Sequence, residues 1–198
     1  ATFSPEEIAT HIRMSVALDP RHRVQVRITP ARDGIGHFDI VIVAFDYPSE
    51  FSIFCGLISA FGLDIRAGNV YSFGKSEAGI SARKIVDVFS VGVRAGEVFD
   101  ESRQGQFEEQ LQSLAQLLAT GGTDQARERL NRFLTEQIEK MNEPLSGLVH
   151  PIQIRFDNDA STEWTVMEAH SEDAYALLYA ISNALALQGI YIHGVKIH

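Results

Sequence analysis

Asp46-Tyr47-Pro48-Ser49-Glu50-Phe51 opens a stretch that runs through Phe54, Cys55, Ile58 and Phe61 to Gly62, and on to Ile65 and Val70. A second stretch opens 127 residues later with Asp173-Ala174-Tyr175-Ala176-Leu177-Leu178, and runs through Ile181 and Leu185 to Gly189, Ile192 and Ile197. Without a gap, the offset sets Phe51 on Leu178, Phe54 on Ile181, Ile58 on Leu185, Gly62 on Gly189, Ile65 on Ile192 and Val70 on Ile197. These are the positions a strand–helix–strand unit needs: a polar strand exit, an apolar helix stripe, a glycine that ends the helix, and an alternating strand. A duplicated small α/β module is the reading that follows. Two copies do not make a solenoid.

Outward from this core, Phe38 to Phe45 reads as a buried strand leading into the first helix. Leu63 to Phe73 is the next strand, Gly74 to Ala82 a small-residue turn, and Arg83 to Val93 a third strand with Ile85, Val88 and Val91 apolar. Phe107, Leu111, Leu114, Leu117 and Leu118 define an amphipathic helix closed by Gly121-Gly122. Thr123 to Met141 is another, with Leu130, Phe133, Leu134, Ile138 and Met141 on one stripe. Ile152, Ile154 and Phe156 alternate as a strand before the Asp157-Asn158-Asp159 turn. Trp164 to Ala169, Ser171 to Leu187 and Ile190 to Ile197 then give strand, helix and strand. At the other end, Ser4-Pro5-Glu6-Glu7 is a helix-capping signal followed by an apolar stripe of Ile8, Ile12 and Val16. Val24, Val26 and Ile28 mark a half-buried strand behind it.

The 198 residues are 45% hydrophobic and carry 17 basic against 26 acidic side chains, a net charge of −9. That balance repels phosphate backbones and anionic lipid, and the densest basic spot is only Arg21-His22-Arg23, so no nucleic-acid or membrane partner is expected. One cysteine, Cys55, excludes an internal disulfide framework and suits a reducing, cytoplasmic setting. It falls on an apolar helix face, the place for a packed thiol rather than a nucleophile. His193 and His198 lie five apart and so face opposite sides of a strand, which argues against a joint metal site with His170 and Glu172. Gly74-Lys75-Ser76 lacks the upstream glycine of a phosphate loop. Trp164 opens a strand, where core packing is the ordinary role. No nucleophile–base pair, metal cluster or cofactor loop is recognisable, so no catalytic residue and no cofactor is expected.

The strand–helix–strand–strand–helix–strand order, with Asp at the first strand exit and Gly after the first helix, resembles the ACT domain, a ferredoxin-like module that senses amino acids. The later stretch Phe156-Asp157-Asn158-Asp159-Ala160-Ser161, with Thr165-Val166-Met167-Glu168 and Leu177-Leu178-Tyr179, is similar to the tandem ACT region of bacterial protein-PII uridylyltransferases, as is Ser4-Pro5-Glu6-Glu7-Ile8-Ala9. ACT-bearing glutamine synthetase adenylyltransferases and glutamate dehydrogenases carry similar stretches. The resemblance implies an α+β chain: an N-terminal helix and strand (1–36), an ACT-like unit (37–158) with a helical insertion (102–142), and the front half of a second, truncated unit (159–198). A piece of a longer chain is the simplest expectation; otherwise the strand at 23–29, or a second subunit, completes the second unit. It further implies a regulatory region that reads an amino acid, glutamine in that family, and controls an attached catalytic domain. The alternative is a ligandless assembly module, either self-associating or pairing its two units within one chain.

In such a site the loop from Asp46 into the helix would offer backbone N–H groups and a positive dipole end to the ligand carboxylate. Asp46 would take the ammonium, with Pro48, Ser49 and Glu50 shaping the corner and Asp64, Ile65 and Arg66 lining the opposite side. Asp173 and Ala176 would mark the matching corner of the second unit. The family's strand-exit motif is Asp-x-Pro-Gly. Here Ser49 replaces the glycine in the first unit, and Asp173-Ala174-Tyr175-Ala176 has neither Pro nor Gly.

Overall fold

The computed structural model describes residues 3–32, 34–74, 83–141, 151–172 and 174–197. Asp173, His198 and most of the expected turn at 74–82 therefore lie outside the described residues. The elements run α1 (Pro5–Val16), β1 (Val24–Pro30), β2 (His37–Phe45), α2 (Glu50–Ala60), β3 (Leu63–Phe73), β4 (Lys84–Val93), α3 (Glu101–Ala119), α4 (Thr123–Lys140), β5 (Gln153–Asp157), β6 (Val166–His170), α5 (Leu177–Leu187) and β7 (Gly194–Ile197). The fold is mixed α+β with an antiparallel sheet and packed helices, consistent with a ferredoxin-like arrangement.

Five strands make the main sheet in the order β1-β2-β4-β3-β7, and β5 pairs only with β6. Within the first unit the third strand of the repeat thus lies between its first and second. The outer place beside β2 is taken by β1, not by the strand at 153–157. Residues 153–157, at the end of the stretch expected to form the first unit, pair with 166–170 instead. β1 completes the first sheet through seven consecutive partners on β2, from Val24↔Ala44 to Pro30↔Phe38, and β5 opens the second unit. The physical reason is locality: a short turn closes each antiparallel pair at little entropic cost, whereas a return from 153 would have to cross two helices.

Strand alternation sorts the sheet's two faces. Ile40, Ile42 and Ala44 of β2, with Ile85, Phe89 and Val91 of β4, meet α2, α3 and α4 in the main core. Val43 and Val86, flanked by Val41, Phe45 and Val88, meet Met14 and Leu18 on the opposite face. The stripe Ile8, Ile12 and Val16 of α1 does not face that core: it is 47%, 58% and 77% exposed, while His11 and Ser15 are buried. A further tie is Lys84 Nζ, which donates to the Ser15 carbonyl at 2.7 Å. Helical spacing reports that a stripe exists but not which way the docked helix turns it.

α2 is the hub. All of its residues from Glu50 to Ala60 are buried, and each fully buried Phe or Ile there stabilises the fold by roughly 1.5–3 kcal/mol. Gly56 permits the close approach: a Cβ there would sit 2.5 Å from Leu130 of α4 and 2.9 Å from Tyr179 of α5. α3 begins at Glu101, earlier than its apolar stripe, because Asp100 caps it by accepting from the Arg103 N–H at 2.9 Å. α5 starts later than expected, at Leu177, and β7 is confined to Gly194–Ile197.

The duplication is visible in the backbone. α2 and α5 are 11 residues each, at the same offset. Ser49 and Ala176, equivalent positions before each helix, are the two non-glycine residues of positive φ among the described residues, at 69° and 54°. Gly62 and Gly189, equivalent positions after each helix, have φ of 74° and 70°. β3 and β7 pair antiparallel about Asn69↔Lys196, themselves equivalent positions, so the two units meet across a pseudo-two-fold axis.

Candidate ligand site at the junction of the two units

Asp46 leaves β2 and closes against the start of β4, its N–H donating to the Arg83 carbonyl at 2.8 Å. Its carboxylate, 7% exposed, faces Arg83 Nε at 3.2 Å and accepts from Tyr191 Oη at 2.6 Å. Ser72 Oγ lies 3.3 Å from the same phenol oxygen. The Arg83 guanidinium stacks over the Tyr191 ring, 5.0 Å from its centroid, and reaches His193 Nδ1 at 3.4 Å. Burial, together with the bond to Asp46, raises the Tyr191 pKa. A first-unit acid is thus held by a first-unit base and a second-unit phenol.

The junction is reciprocal. Tyr191 occupies the repeat position of Asp64, and Tyr175 that of Pro48. Tyr175, from the corner of the second unit, lies beneath the Arg94 guanidinium at 5.2 Å and donates to the Ser59 carbonyl at 3.3 Å. Arg94 in turn binds Asp64 at 2.8 Å. Burial pushes the Tyr175 hydroxyl up to about 12. Each unit's corner therefore meets the strand start of the other.

This separates residues that the sequence reading placed together. Phe45, the residue before Asp46, pairs with Lys84, whereas Asp64 pairs with Gly92, the partner of His37 at the opposite end of β2. Asp46 and Asp64 thus lie at opposite ends of a nine-residue strand, roughly 25–30 Å long at the usual rise. Asp64, Ile65 and Arg66 do not line the Asp46 corner within this chain. Ile65 packs on the main core, and Arg66 is exposed and lies over Gly92. Pro48 is exposed. Ser49 stands in the left-handed region and makes no side-chain cap. Ala176 is half-buried in the same conformation.

The helix N-terminus is already used. The Glu50 N–H donates to the Tyr47 carbonyl at 3.2 Å. The Glu50 carboxyl lies against the N–H groups of Glu50 and Phe51, but burial, followed by the negative charges of Asp87 and Asp46, pushes its pKa well up. Asp87 is fully buried with neither carboxylate oxygen hydrogen-bonded. Burial first, then Asp46, raises its pKa strongly as well. Cys55 is buried too, and burial drives its thiol pKa well up, so it is an inert packed group.

The sequence reading missed Arg83, Tyr191, Tyr175, Arg94 and Asp87. The offset itself held the signal for the two tyrosines, since each falls on a position already singled out. Asp87 shares strand parity with Ile85, Phe89 and Val91, which marks it as a charge on a core face. Trp164 proves 47% exposed rather than core-packed, and stacks on His193 with ring centroids 4.2 Å apart.

No helix among the described residues is long and apolar enough to cross a membrane. No family model matches the chain, and no solved structure matches it. Among curated proteins it is similar to a bifunctional uridylyltransferase/uridylyl-removing enzyme of Rhodospirillum rubrum, 24% identical over 193 residues. The match covers 96% of this chain and 19% of that relative, so the chain corresponds to about a fifth of the enzyme's length.

Proposed function

We propose that this chain is a regulatory region built of two ACT-type units that reads a small amino acid, glutamine foremost, for an attached nitrogen-metabolism enzyme such as a protein-PII uridylyltransferase. The similarity along nearly the whole chain to a uridylyltransferase/uridylyl-removing enzyme supports the parentage. The observation that carries the sensing role is the Asp46–Arg83–Tyr191 contact across the two units. An α-amino acid bears one cation and one anion in fixed proximity, so it substitutes for an ion pair: its ammonium takes Asp46 and its carboxylate takes Arg83. Tyr191 is then released, and the ligand shifts the balance between two arrangements of the units by as much as its affinity for them differs. Calorimetry against the common amino acids tests this. Binding of glutamine, lost in Asp46→Asn and Arg83→Gln and altered in Tyr191→Phe, is the expected result; silence for every amino acid defeats it.

A second reading, a ligandless module joining its two units or two chains, draws support from the same corner. Asp46 is satisfied by protein groups, and two of the N–H groups at the helix start, those of Glu50 and Ile53, already donate to the Tyr47 and Ser49 carbonyls. Light scattering that shows self-association unchanged by any amino acid favours this alternative.

A further inference from the structure

Two more acids lie behind the Asp46 corner. The start of α2 crosses β4, where Phe51 stacks on Phe89 with ring centroids 6.5 Å apart. Asp46 meanwhile binds the Arg83 carbonyl through its N–H and the Arg83 guanidinium through its carboxylate. Asp87 stands between Arg83 and Phe89 in sequence and shares the strand parity of Phe89, and Glu50 precedes Phe51, so both carboxyls fall inside that bracket. Glu50 is 7% exposed, Asp87 is fully buried, and neither Asp87 oxygen has a hydrogen-bond partner. The corner thus sets three carboxyls against one guanidinium. Arg83 is on the outer side, shared among Asp46, His193 and the Tyr191 ring. Lys84 serves the opposite face of the sheet, where it bonds the Ser15 carbonyl, and Arg23 bonds the Tyr47 hydroxyl. From α2 itself the pair faces only the buried Cys55 thiol, which stays protonated. An enclosed carboxyl with no counter-ion keeps its proton. The charge of Asp46 adds to burial in holding protons on both Glu50 and Asp87.

We propose that the Glu50–Asp87 pair is a proton store coupled to the corner: an α-amino acid that places its ammonium on Asp46 drives a proton from the pair into solvent. The inference rests on the amino-acid reading of this corner and adds its regulation by pH. Without ligand the pair is neutral and Arg83 matches Asp46. With ligand, Arg83 pairs with the ligand carboxylate, and the ammonium is a compact cation with three N–H donors, more than Asp46 alone needs. One carboxyl O–H bond of the pair breaks, the electrons stay on the new carboxylate facing that cation, and the proton passes to bulk water where Tyr191 has moved aside. The bound form then holds one proton fewer than the free form. Affinity therefore rises with pH while the free pair is protonated, and levels off once it is ionised.

Calorimetry of the 198-residue protein with L-glutamine, in two buffers of unlike protonation heat, counts the protons. The expected result at pH 7 is release of about a half to one proton per ligand, with a Kd that tightens at least about tenfold between pH 6 and pH 8. The double variant Glu50→Gln, Asp87→Asn should still bind glutamine but lose both the release and the pH slope. Glutamine binding without release, or with a smaller slope, overturns the coupling and leaves the amino-acid reading standing. Release that survives the double variant but vanishes in His193→Gln also overturns it, because the histidine beside Arg83 is then the source. Absence of binding for every common amino acid defeats the sensing reading and this inference together.

Discussion

α2 and α5 have the same length, begin after a left-handed non-glycine residue and end before a left-handed glycine, yet their surroundings differ completely. Every residue of α2 is buried, whereas only Tyr179 and Ser182 of α5 are. α2 lies between a sheet of four first-unit strands and the helices α3, α4 and α5; α5 has α2 on one side and far less cover elsewhere. Two copies of one local plan therefore carry unequal shares of the stability. The first is the core of the molecule, and the second is a surface whose apolar side chains remain available.

The sharpest way to break this comparison is to truncate equivalent side chains. Phe54→Ala, in the fully buried helix, should cost about 3–5 kcal/mol, and its counterpart Ile181→Ala only about 1 kcal/mol, read from urea midpoints. Equal losses would mean that the second unit is as well covered as the first.

A smaller effect isolates what the first unit has and the second lacks. The buried acid pair belongs to the first unit alone, because Glu50 has Leu177 as its equivalent. The Asp87 pKa is raised in the folded state, so the native protein holds that proton more tightly than the unfolded chain does. The stability it contributes is present below the ordinary carboxylate range and is lost as pH rises through the folded value. Asp87→Asn removes this loss. The variant should gain on the parent as pH rises, by about 1–3 kcal/mol once the carboxyl would be ionised, seen as a melting-temperature difference that widens from pH 5 to pH 9. A difference independent of pH would show that Asp87 is not held protonated.

The smallest effect tests the likeness of the two corners. An L-residue in the left-handed region costs roughly 1–2 kcal/mol, partly offset by the greater freedom glycine gives the unfolded chain. Ser49→Gly and Ala176→Gly should each stabilise by about 0.5–1 kcal/mol in calorimetry, with the same sign in both units. A loss at either position would mean that its side chain, and not only its backbone, holds the corner.

Much of this architecture is legible in the sequence. The fixed offset, the glycine after each helix and the alternation in each strand are local signals, and the helices and strands formed where those signals lay. The corner was legible as backbone: the positions that carry glycine in the Asp-x-Pro-Gly motif adopt the conformation glycine favours, although Ser49 and Ala176 occupy them. The contacts of the corner were less so. The sequence suggests Asp64 and Arg66 as neighbours of Asp46, but Asp46 meets Arg83 and Tyr191, because strand pairing sends Asp64 to the far end of the sheet. α1 likewise showed its stripe in sequence and then turned that stripe to solvent.

By itself the sequence determined the elements and their duplication, since helix caps, turn glycines and apolar periods act within a few residues of where they stand. Only the tertiary structure decided that β1 and not β5 closes the first sheet, that β3 meets β7 about a pseudo-two-fold axis, and that Tyr191 reaches Asp46 across 145 residues of chain. Such choices depend on which distant surfaces exclude water together and which edges find hydrogen-bond partners, and no short window of residues holds both partners.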